Sequence, residues 1–367
     1  MKFSISREAL LRPLTLVAGV VERRQTLPVL ANVLIDVQEE QVALTGTDLE
    51  VELVGRTSSA SVEQIGATTV PARKLMDICK SLPEQAEIQL ALEEGRAVLR
   101  SGRSRFTLST LPATEFPNIE ESAGNTEVSL PRGTLKRLID STAFAMAQQD
   151  VRYYLNGMLL ELRSNLVRTV ATDGHRLAVC SGPADIELEP AQKLIVPRKG
   201  ILELVRLLDD SDEPVTLSLG ANHLRAHTGS FTFTSKLVDG KFPDYERVIP
   251  RGGDKVFIAE RTQLRQVLSR TSILSNEKYR GVRLLLEEGN LRVMANNPEQ
   301  EEAEENVAVE YSGANLEIGF NVGYLIDALG VLGEDKVQVT LADPNSSALM
   351  EEPGGGDAMY VIMPMRL

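Results

Sequence analysis

Three stretches of this chain open in the same way. A short alternating run (FSIS from Phe3, VSLP from Val128, FIAE from Phe257) leads into a segment whose apolar positions recur every three or four residues. Alternation predicts a strand, and the longer period predicts an amphipathic helix. In the second opening Leu135, Leu138, Ile139, Thr142 and Met146 share one predicted helix face, while Arg132, Lys136 and Arg137 fall elsewhere. Pro13 stands inside the first such helix and predicts a kink. A second strand-to-helix passage follows in each stretch: TTVPARKLMDICKSLP from Thr68, LIVPRKGILELVRLLD from Leu194 and IGFNVGYLIDALGVLG from Ile318. In the first two, Pro stands at the junction, where its missing N–H costs little. The later helix of the second stretch sets Ile201, Leu204, Val205 and Leu208 against Arg198, Lys199 and Arg206.

Strand-like runs fill the remainder. NVLIDVQEE from Asn32 matches NGMLLELRSN from Asn156 and GVRLLLEEGN from Gly281. A hairpin comes next, VALTGTDLEVELVG from Val42 against VRTVATDGHRLAVCS from Val167, with a Thr-Asp pair at 47–48 and again at 172–173. Asp173-Gly174 is a strong turn signal between alternating runs. The third copy is degenerate there, with Asn296-Asn297-Pro298. FTLSTLPATEFPNI from Phe106 matches FTFTSKLVDGKFPDY from Phe231, and MYVIMPMRL closes the third copy. A repeat of this length is a domain rather than a solenoid unit. The fold class expected is therefore α+β: three repeated domains at 1–124, 125–252 and 253–367, each with two helices packed on antiparallel sheets of about eight strands. The boundaries fall at the small, polar segment 122–126 and the Gly-rich segment 251–254. The small-residue segment 353–357 reads as a surface turn.

Composition changes the picture in two ways. With 367 residues, 43% of them hydrophobic, no Trp and 4% aromatics, the cores must be large and aliphatic. The formal charge of −13 argues against a protein that simply coats nucleic acid. The charge is segregated, however. The predicted helices at 7–24, 72–82, 131–149, 197–209, 260–274 and 321–333 carry +2, +2, +2, +1, +2 and −1, a total of +8, which leaves −21 for strands and loops. One helix of that sign would be an ordinary solvated face; five of six suggest a shared positive surface suited to phosphate. The run PEQEEAEE from Pro298 reads as a mutually repelling solvated face. Cys79 and Cys180 lie in apolar runs and read as buried thiols, with no disulfide framework or zinc spacing. The start of the chain lacks a signal-peptide core, and no apolar run reaches the ~18 residues of a membrane span, so a cytoplasmic location is expected.

Catalytic motifs are not found. The sequence contains no G-x-x-x-x-G-K-[ST], no G-x-G-x-x-G after a strand and no G-x-S-x-G. His223 and His227 sit four apart in a strand-like run without a nearby carboxylate, a poor metal spacing. Asp173 and His175 are the one pair that suggests acid–base work, and no Ser is evident to complete a hydrolase. No cofactor and no metal are expected.

Seven strings carry a family resemblance over essentially the whole chain: TLPVLANVL from Thr26, QDVRYYLNGM from Gln149, TVATDGHRLAVCS from Thr169, FTSKLVDGKFPDYERV from Phe233, ILSNEKYRGVRL from Ile273, ANNPEQEEAEE from Ala295 and the terminal VIMPMRL. With three α+β repeats whose helices are basic, the chain resembles the bacterial sliding clamps, the β subunits of DNA polymerase III. The resemblance implies a non-catalytic processivity factor: a head-to-tail homodimer closing as a six-domain ring, helices inside and strands outside, encircling duplex DNA without reading sequence. It implies DNA-facing residues Arg24, Arg73, Arg105, Arg137, Gln149, Tyr153, Tyr154, Arg198, Lys199, Arg280 and Arg283. Tyr153 and Tyr154 fall on a loop, where they either stack on exposed bases or pack locally. A partner cleft between the second and third domains is implied at Leu155, Thr172, Gly174, His175, Arg176, Leu177, Pro243, Arg247, Val248, Tyr324, Ser347, Val361, Met363, Pro364, Met365 and Arg366. The dimer interface is implied at Lys74, Phe106, Leu108, Ile273, Leu274, Glu299 and Glu301. Implied partners are a clamp loader, the polymerase III catalytic subunit, other polymerases, and repair and ligation proteins bearing short peptide motifs. A DNA-binding scaffold that coats duplex without encircling it, and a hydrolase using Asp173 and His175, are the alternatives.

Overall fold

The computed structural model describes residues 1–22, 27–58, 60–117, 119 and 126–366. Among these are six α-helices: α1 (Arg7–Val20), α2 (Ala72–Ser81), α3 (Arg132–Asp140), α4 (Arg198–Val205), α5 (Arg261–Thr271) and α6 (Val322–Val331). The chain forms two compact units, one of residues 1–136 and 199–237, the other of 137–198 and 238–367. Arg24 and positions 122–125 of the first expected boundary lie outside the described residues.

The first unit holds two antiparallel sheets. Five strands run in the order Ser61–Gln64, Lys2–Ser6, Glu87–Glu93, Arg96–Ser101, Ser104–Ser109. Eight run in the order Thr126–Pro131, Pro214–Leu219, His223–Thr228, Phe231–Lys236, Val51–Thr57, Val42–Thr47, Asn32–Val37, Gly66–Pro71. Phe3, Leu10, Leu14, Val17, Leu44, Leu53, Leu75 and Phe233 are buried in its core. The core is aliphatic with a few Phe, as the composition required.

The second unit repeats the plan. Its eight-stranded sheet runs Gln192–Pro197, Gly157–Arg163, Leu166–Thr172, Arg176–Pro183, Ala358–Ile362, Ala348–Glu351, Lys336–Leu341, Lys255–Glu260. Its four-stranded sheet runs Glu302–Ala308, Asn290–Asn296, Gly281–Glu287, Leu316–Asn321. The third hairpin, unmarked in the sequence, forms with Asn297 Oδ1 accepting the Glu301 N–H at 2.9 Å and Gln300 at φ 64°.

Each eight-stranded sheet joins strands of different repeats. The closing strand of the second repeat, Phe231–Lys236, pairs with the hairpin strand Val51–Thr57 of the first, with Phe233 opposite Leu53. The closing strand of the third, Ala358–Ile362, pairs with the hairpin strand Arg176–Pro183 of the second, with Leu177 opposite Val361. By the same pattern the closing strand of the first repeat is Ser104–Ser109 and the hairpin strand of the third is Glu302–Ala308. Each lies at the end of its sheet, paired on one side among the described residues.

Two local expectations need correction. Helix α3 stops at Asp140, so Thr142 and Met146 are not on its face. The buried Thr142 hydroxyl instead donates to Leu138 O at 2.8 Å and lies 3.0 Å from Thr169 Oγ1. A β-branched hydroxyl residue that bonds back to the preceding turn competes with helix continuation. Pro13 lies within α1, which continues through it to Val20. The buried ring packs where Gly55 leaves room: a Cβ there would stand 2.9 Å from Pro13 Cβ. The helices are also shorter than the periodicity suggests, yet within their observed bounds they still total +8.

Candidate functional site

A cavity of about 390 Å³ opens in the second unit. Its construction begins at the Thr-Asp turn. Thr172 Oγ1 donates to Arg176 O at 2.6 Å and accepts the Gly174 N–H at 3.1 Å. Asp173 Oδ1 accepts the N–H groups of His175 and Arg176 at 2.9 and 3.1 Å. These bonds satisfy the turn locally, as Asx and ST turns do. Gly174 sits at φ 89°, which glycine adopts without Cβ strain. A Cβ there would lie 2.8 Å from the Arg152 guanidinium that covers it. Asp173 is thus committed to the backbone and to Arg176 rather than aimed at the His175 ring, which leaves the hydrolase alternative without its acid–base pair.

Behind the cavity stands a packed apolar cluster that includes Leu159, Val170, Leu177, Phe242, Tyr245 and Val361. Tyr245 is fixed from below: its hydroxyl donates to Glu161 Oε2 at 3.1 Å and accepts from Arg168 Nη1 at 2.9 Å. Burial pushes the Tyr245 pKa above the ordinary phenol value. At the mouth, Val248 is 57% and Met363 50% exposed. Exposed apolar side chains beside an apolar cavity mark an interaction site. Met363 is held there by its backbone N–H, which donates to His175 O at 3.0 Å.

Of the cleft residues inferred from sequence, the cavity wall brings together Leu155, Thr172, Gly174, His175, Arg176, Leu177, Pro243, Val248, Ser347, Val361 and Met363. The others lie beside it. Arg247 is paired with Asp244 at 2.7 Å and lines a neighbouring polar groove. Tyr324 reaches the wall through Arg176, whose guanidinium carbon lies 4.6 Å from its ring centroid. Pro364 follows Met363 in the extended tail, and Met365 and Arg366 line a separate hollow with Tyr279 and Glu304. Sequence reading missed Arg152, Asp244 and Tyr245, and it set Tyr154 toward DNA although Tyr154 lines this cavity. The string KFPDYERV contains Asp244 and Tyr245 beside Pro243 and was the signal available.

The DNA-facing candidates have mixed surroundings. Lys199 Nζ is engaged by Asp48 at 2.5 Å, Glu22 at 2.8 Å and Val20 O at 3.0 Å. Burial lowers its pKa, but the two carboxylates outweigh that and raise it overall. Arg137 is paired with Asp357 at 3.1 Å, and Arg283 with Glu317 at 3.2 Å. Arg105 lies 3.9 Å from Glu93 on the sheet-end strand Ser104–Ser109. Arg73 donates to Val21 O at 3.4 Å and Arg198 to Met146 O at 3.3 Å. Arg280 and Gln149 are exposed at φ 46° and 56°. Tyr153 is 56% exposed on the short 3-10 turn Tyr153–Leu155. The helix charge count therefore overstates the field available to phosphate, because several cations are matched by neighbouring acids.

Comparison with known proteins decides what this scaffold is. The N-terminal, central and C-terminal domain models of the DNA polymerase III beta subunit match residues 1–120, 129–244 and 246–366. The chain belongs to the DNA polymerase III beta subunit family. It is 64% identical to the beta sliding clamp of Pseudomonas aeruginosa and 55% identical to that of Escherichia coli K12, over 100% of both chains in each case. Among solved structures, the P. aeruginosa DNA polymerase III subunit beta bound to griselimycin matches with a TM-score of 0.97 at 63% identity, covering 100% of both chains.

The protein is accordingly a DNA sliding clamp, a processivity factor rather than a catalyst. DNA and polymerase are its partners at family level. Among the described residues no helix is long and apolar enough to cross a membrane. The clamp's interface candidates are mostly open to solvent: Ile273 is 76% exposed, and Lys74, Glu299 and Glu301 are exposed, with Phe106 and Leu274 half-buried. Leu108 differs. At 7% exposure it faces the interior of its own unit, in register with Ala97.

Proposed function

We propose that the cavity walled by Leu155, Leu177, Val248, Val361 and Met363 is the cleft by which this clamp holds short apolar peptide motifs of its partners. The observation that carries the reading is an apolar hollow whose rim residues, Val248 and Met363, are left half-exposed by the fold. Two apolar side chains inserted there would each gain about 1.5–3 kcal/mol of burial. A site with methionine at its mouth adapts to different sequences. The partners read in this way are the clamp loader, the polymerase III catalytic subunit, other polymerases, and repair and ligation proteins. Griselimycin, bound in the P. aeruginosa relative, is expected to compete for the same cleft.

The three domains, in this reading, run over 1–124, 125–252 and 253–367. Two copies associate head to tail, the closing strand Ser104–Ser109 of one beside the hairpin strand Glu302–Ala308 of the other. What supports this is the pattern within the chain, where closing and hairpin strands of successive repeats pair. Charge agrees: Arg103 and Arg105 lie before and on one strand, while Glu299, Glu301, Glu302 and Glu304 lie before and on the other. Arg105 then serves the interface more directly than DNA. Duplex DNA is contacted by Arg24, Arg73, Arg137, Gln149, Tyr153, Arg198, Arg280 and Arg283, loosely and without base readout.

Deleting Met363 to Leu367 removes one wall of the cleft but little core. The truncated clamp is expected to lose binding to the clamp loader and to the polymerase while remaining dimeric. Unchanged affinity for a polymerase peptide in a calorimetric titration would show that the cleft lies elsewhere.

A further inference from the structure

The cavity wall contains two arginines, and both are already matched. Arg176, whose side chain is 13% exposed, directs Nε to Asp173 Oδ2 at 3.0 Å, Nη1 to Asp327 Oδ2 at 2.5 Å and Nη2 to Phe144 O at 2.8 Å. Each guanidinium nitrogen thus has a protein acceptor. Its guanidinium carbon also lies over two rings, 5.1 Å from the Phe144 centroid and 4.6 Å from that of Tyr324. Arg152 gives Nε and Nη2 to Asp150 at 3.0 and 2.8 Å, and Nη2 also to Asp173 O at 3.2 Å. An uncommitted arginine in such a wall would recruit a carboxylate by a bidentate pair. Here an entering carboxylate would shed water, meet donors already engaged and face Asp173 and Asp327. An apolar side chain meets no such cost.

We propose that Tyr324 and Asp327, both on α6, are positioning residues that set the specificity of the cleft: by holding the Arg176 guanidinium against themselves they make the cavity accept an uncharged apolar side chain and refuse an acidic one. The inference rests on the peptide-cleft reading above. Asp327 is the telling member, because it lies outside the cavity wall, is itself 46% exposed, and acts on the partner only through Arg176. Asp173 is tied in addition to the turn, so its loss would damage the backbone. Asp327 has a milder substitution: Asp327→Asn keeps the shape and removes the charge.

The test uses the full-length clamp and two acetylated probe peptides, one ending in Leu-Phe-amide and the other in Leu-Glu-amide. Each is titrated by protein-detected NMR, with griselimycin as the reference occupant. Wild type is expected to favour the Phe peptide by tenfold or more. In Asp327→Asn, and separately in Tyr324→Leu, that preference is expected to shrink about fivefold to tenfold, the range that loss of one half-exposed hydrogen bond or one cation–π contact produces. Asp327→Glu should restore it. A merely structural role would weaken both peptides equally and lower the melting temperature. A folded Asp327→Asn clamp with the wild-type preference overturns the inference and leaves the cleft standing. If resonances of the wild-type cavity respond neither to the peptides nor to griselimycin, the cleft reading falls and the inference falls with it.

Discussion

The Thr-Asp pair does the same work at residues 47–48 as at 172–173. Thr47 Oγ1 donates to Val51 O at 2.9 Å and accepts the Leu49 N–H at 3.0 Å, while Asp48 Oδ1 accepts from Glu50 and Val51 at 2.9 and 2.7 Å. The position that Gly174 takes at φ 89° is Leu49 at φ 77° in the first copy. A leucine there is strained by roughly 1 kcal/mol or more. In the second copy glycine avoids that strain, and the Arg152 guanidinium lies where a Cβ would stand. His223 shows another effect of local surroundings. Both ring nitrogens are buried without a hydrogen-bond partner, and burial, reinforced by Lys236 and Arg225, lowers its pKa. The folded state therefore binds its proton less readily than the unfolded chain, whose histidine titrates near ~6.5. The stability this group permits is present above that pH and declines as pH falls through it. The melting temperature is expected to fall from pH 7.5 to pH 5.5, and His223→Gln should flatten that fall. An unchanged slope in the variant would show that other groups control it.

At the scale of elements, the decisive objects are two strands with one neighbour each. Exposed edges invite pairing with another chain, and proteins seldom leave them open without reason. Ser104–Ser109 and Glu302–Ala308 are such edges among the described residues. Helix α5 packs on the second, and the turn Ser272–Leu274 at its end lies against the adjoining strand Asn290–Asn296, with Ile273 76% exposed. Leu108 is covered within its own unit, so Phe106 is the more exposed apolar side chain that this strand offers to the proposed interface. Replacing Ile273 and Leu274 together by Ala should remove up to about 1.5–3 kcal/mol for each fully buried side chain and yield folded monomers. Light scattering at low micromolar concentration reads the outcome. A double variant that stays dimeric would place the interface at other surfaces.

For the whole molecule, charge separates two ways of holding DNA. A coating protein relies on phosphate contacts, so its hold weakens steeply as salt rises. A closed ring holds by topology, and the net charge of −13 repels free DNA at long range. The matched cations, Lys199 with Asp48 and Glu22 and Arg137 with Asp357, agree with this, since paired charges attract phosphate less than free ones. Once loaded on a nicked circle, the clamp is expected to survive a high-salt gel-filtration column, and cutting the circle should release it over the ends. Equal retention on linear and circular DNA at high salt would mean that it does not encircle DNA.

The sequence by itself determined the repeat, the strand-to-helix openings, the aliphatic cores and the basic bias of the helices. These are properties of periodicity and composition, and each is decided within a few turns of chain. It also held residues of the cavity wall in quotable strings, since Thr172, Asp173 and Gly174 form a turn that local hydrogen bonds complete. Only the tertiary structure decided where helix α3 ends, which cations keep their charge free, and which strands of different repeats join. Lys199 and Asp48 are far apart along the chain, so no local pattern announces that one neutralises the other. The pairing of Phe231–Lys236 with Val51–Thr57, and of Ala358–Ile362 with Arg176–Pro183, likewise depends on long-range register. That register leaves Ser104–Ser109 and Glu302–Ala308 at the sheet ends, and it brings Val361 beside Leu177 to floor the cavity, because strand partners are chosen by the packing of distant segments and not by the residues next to them.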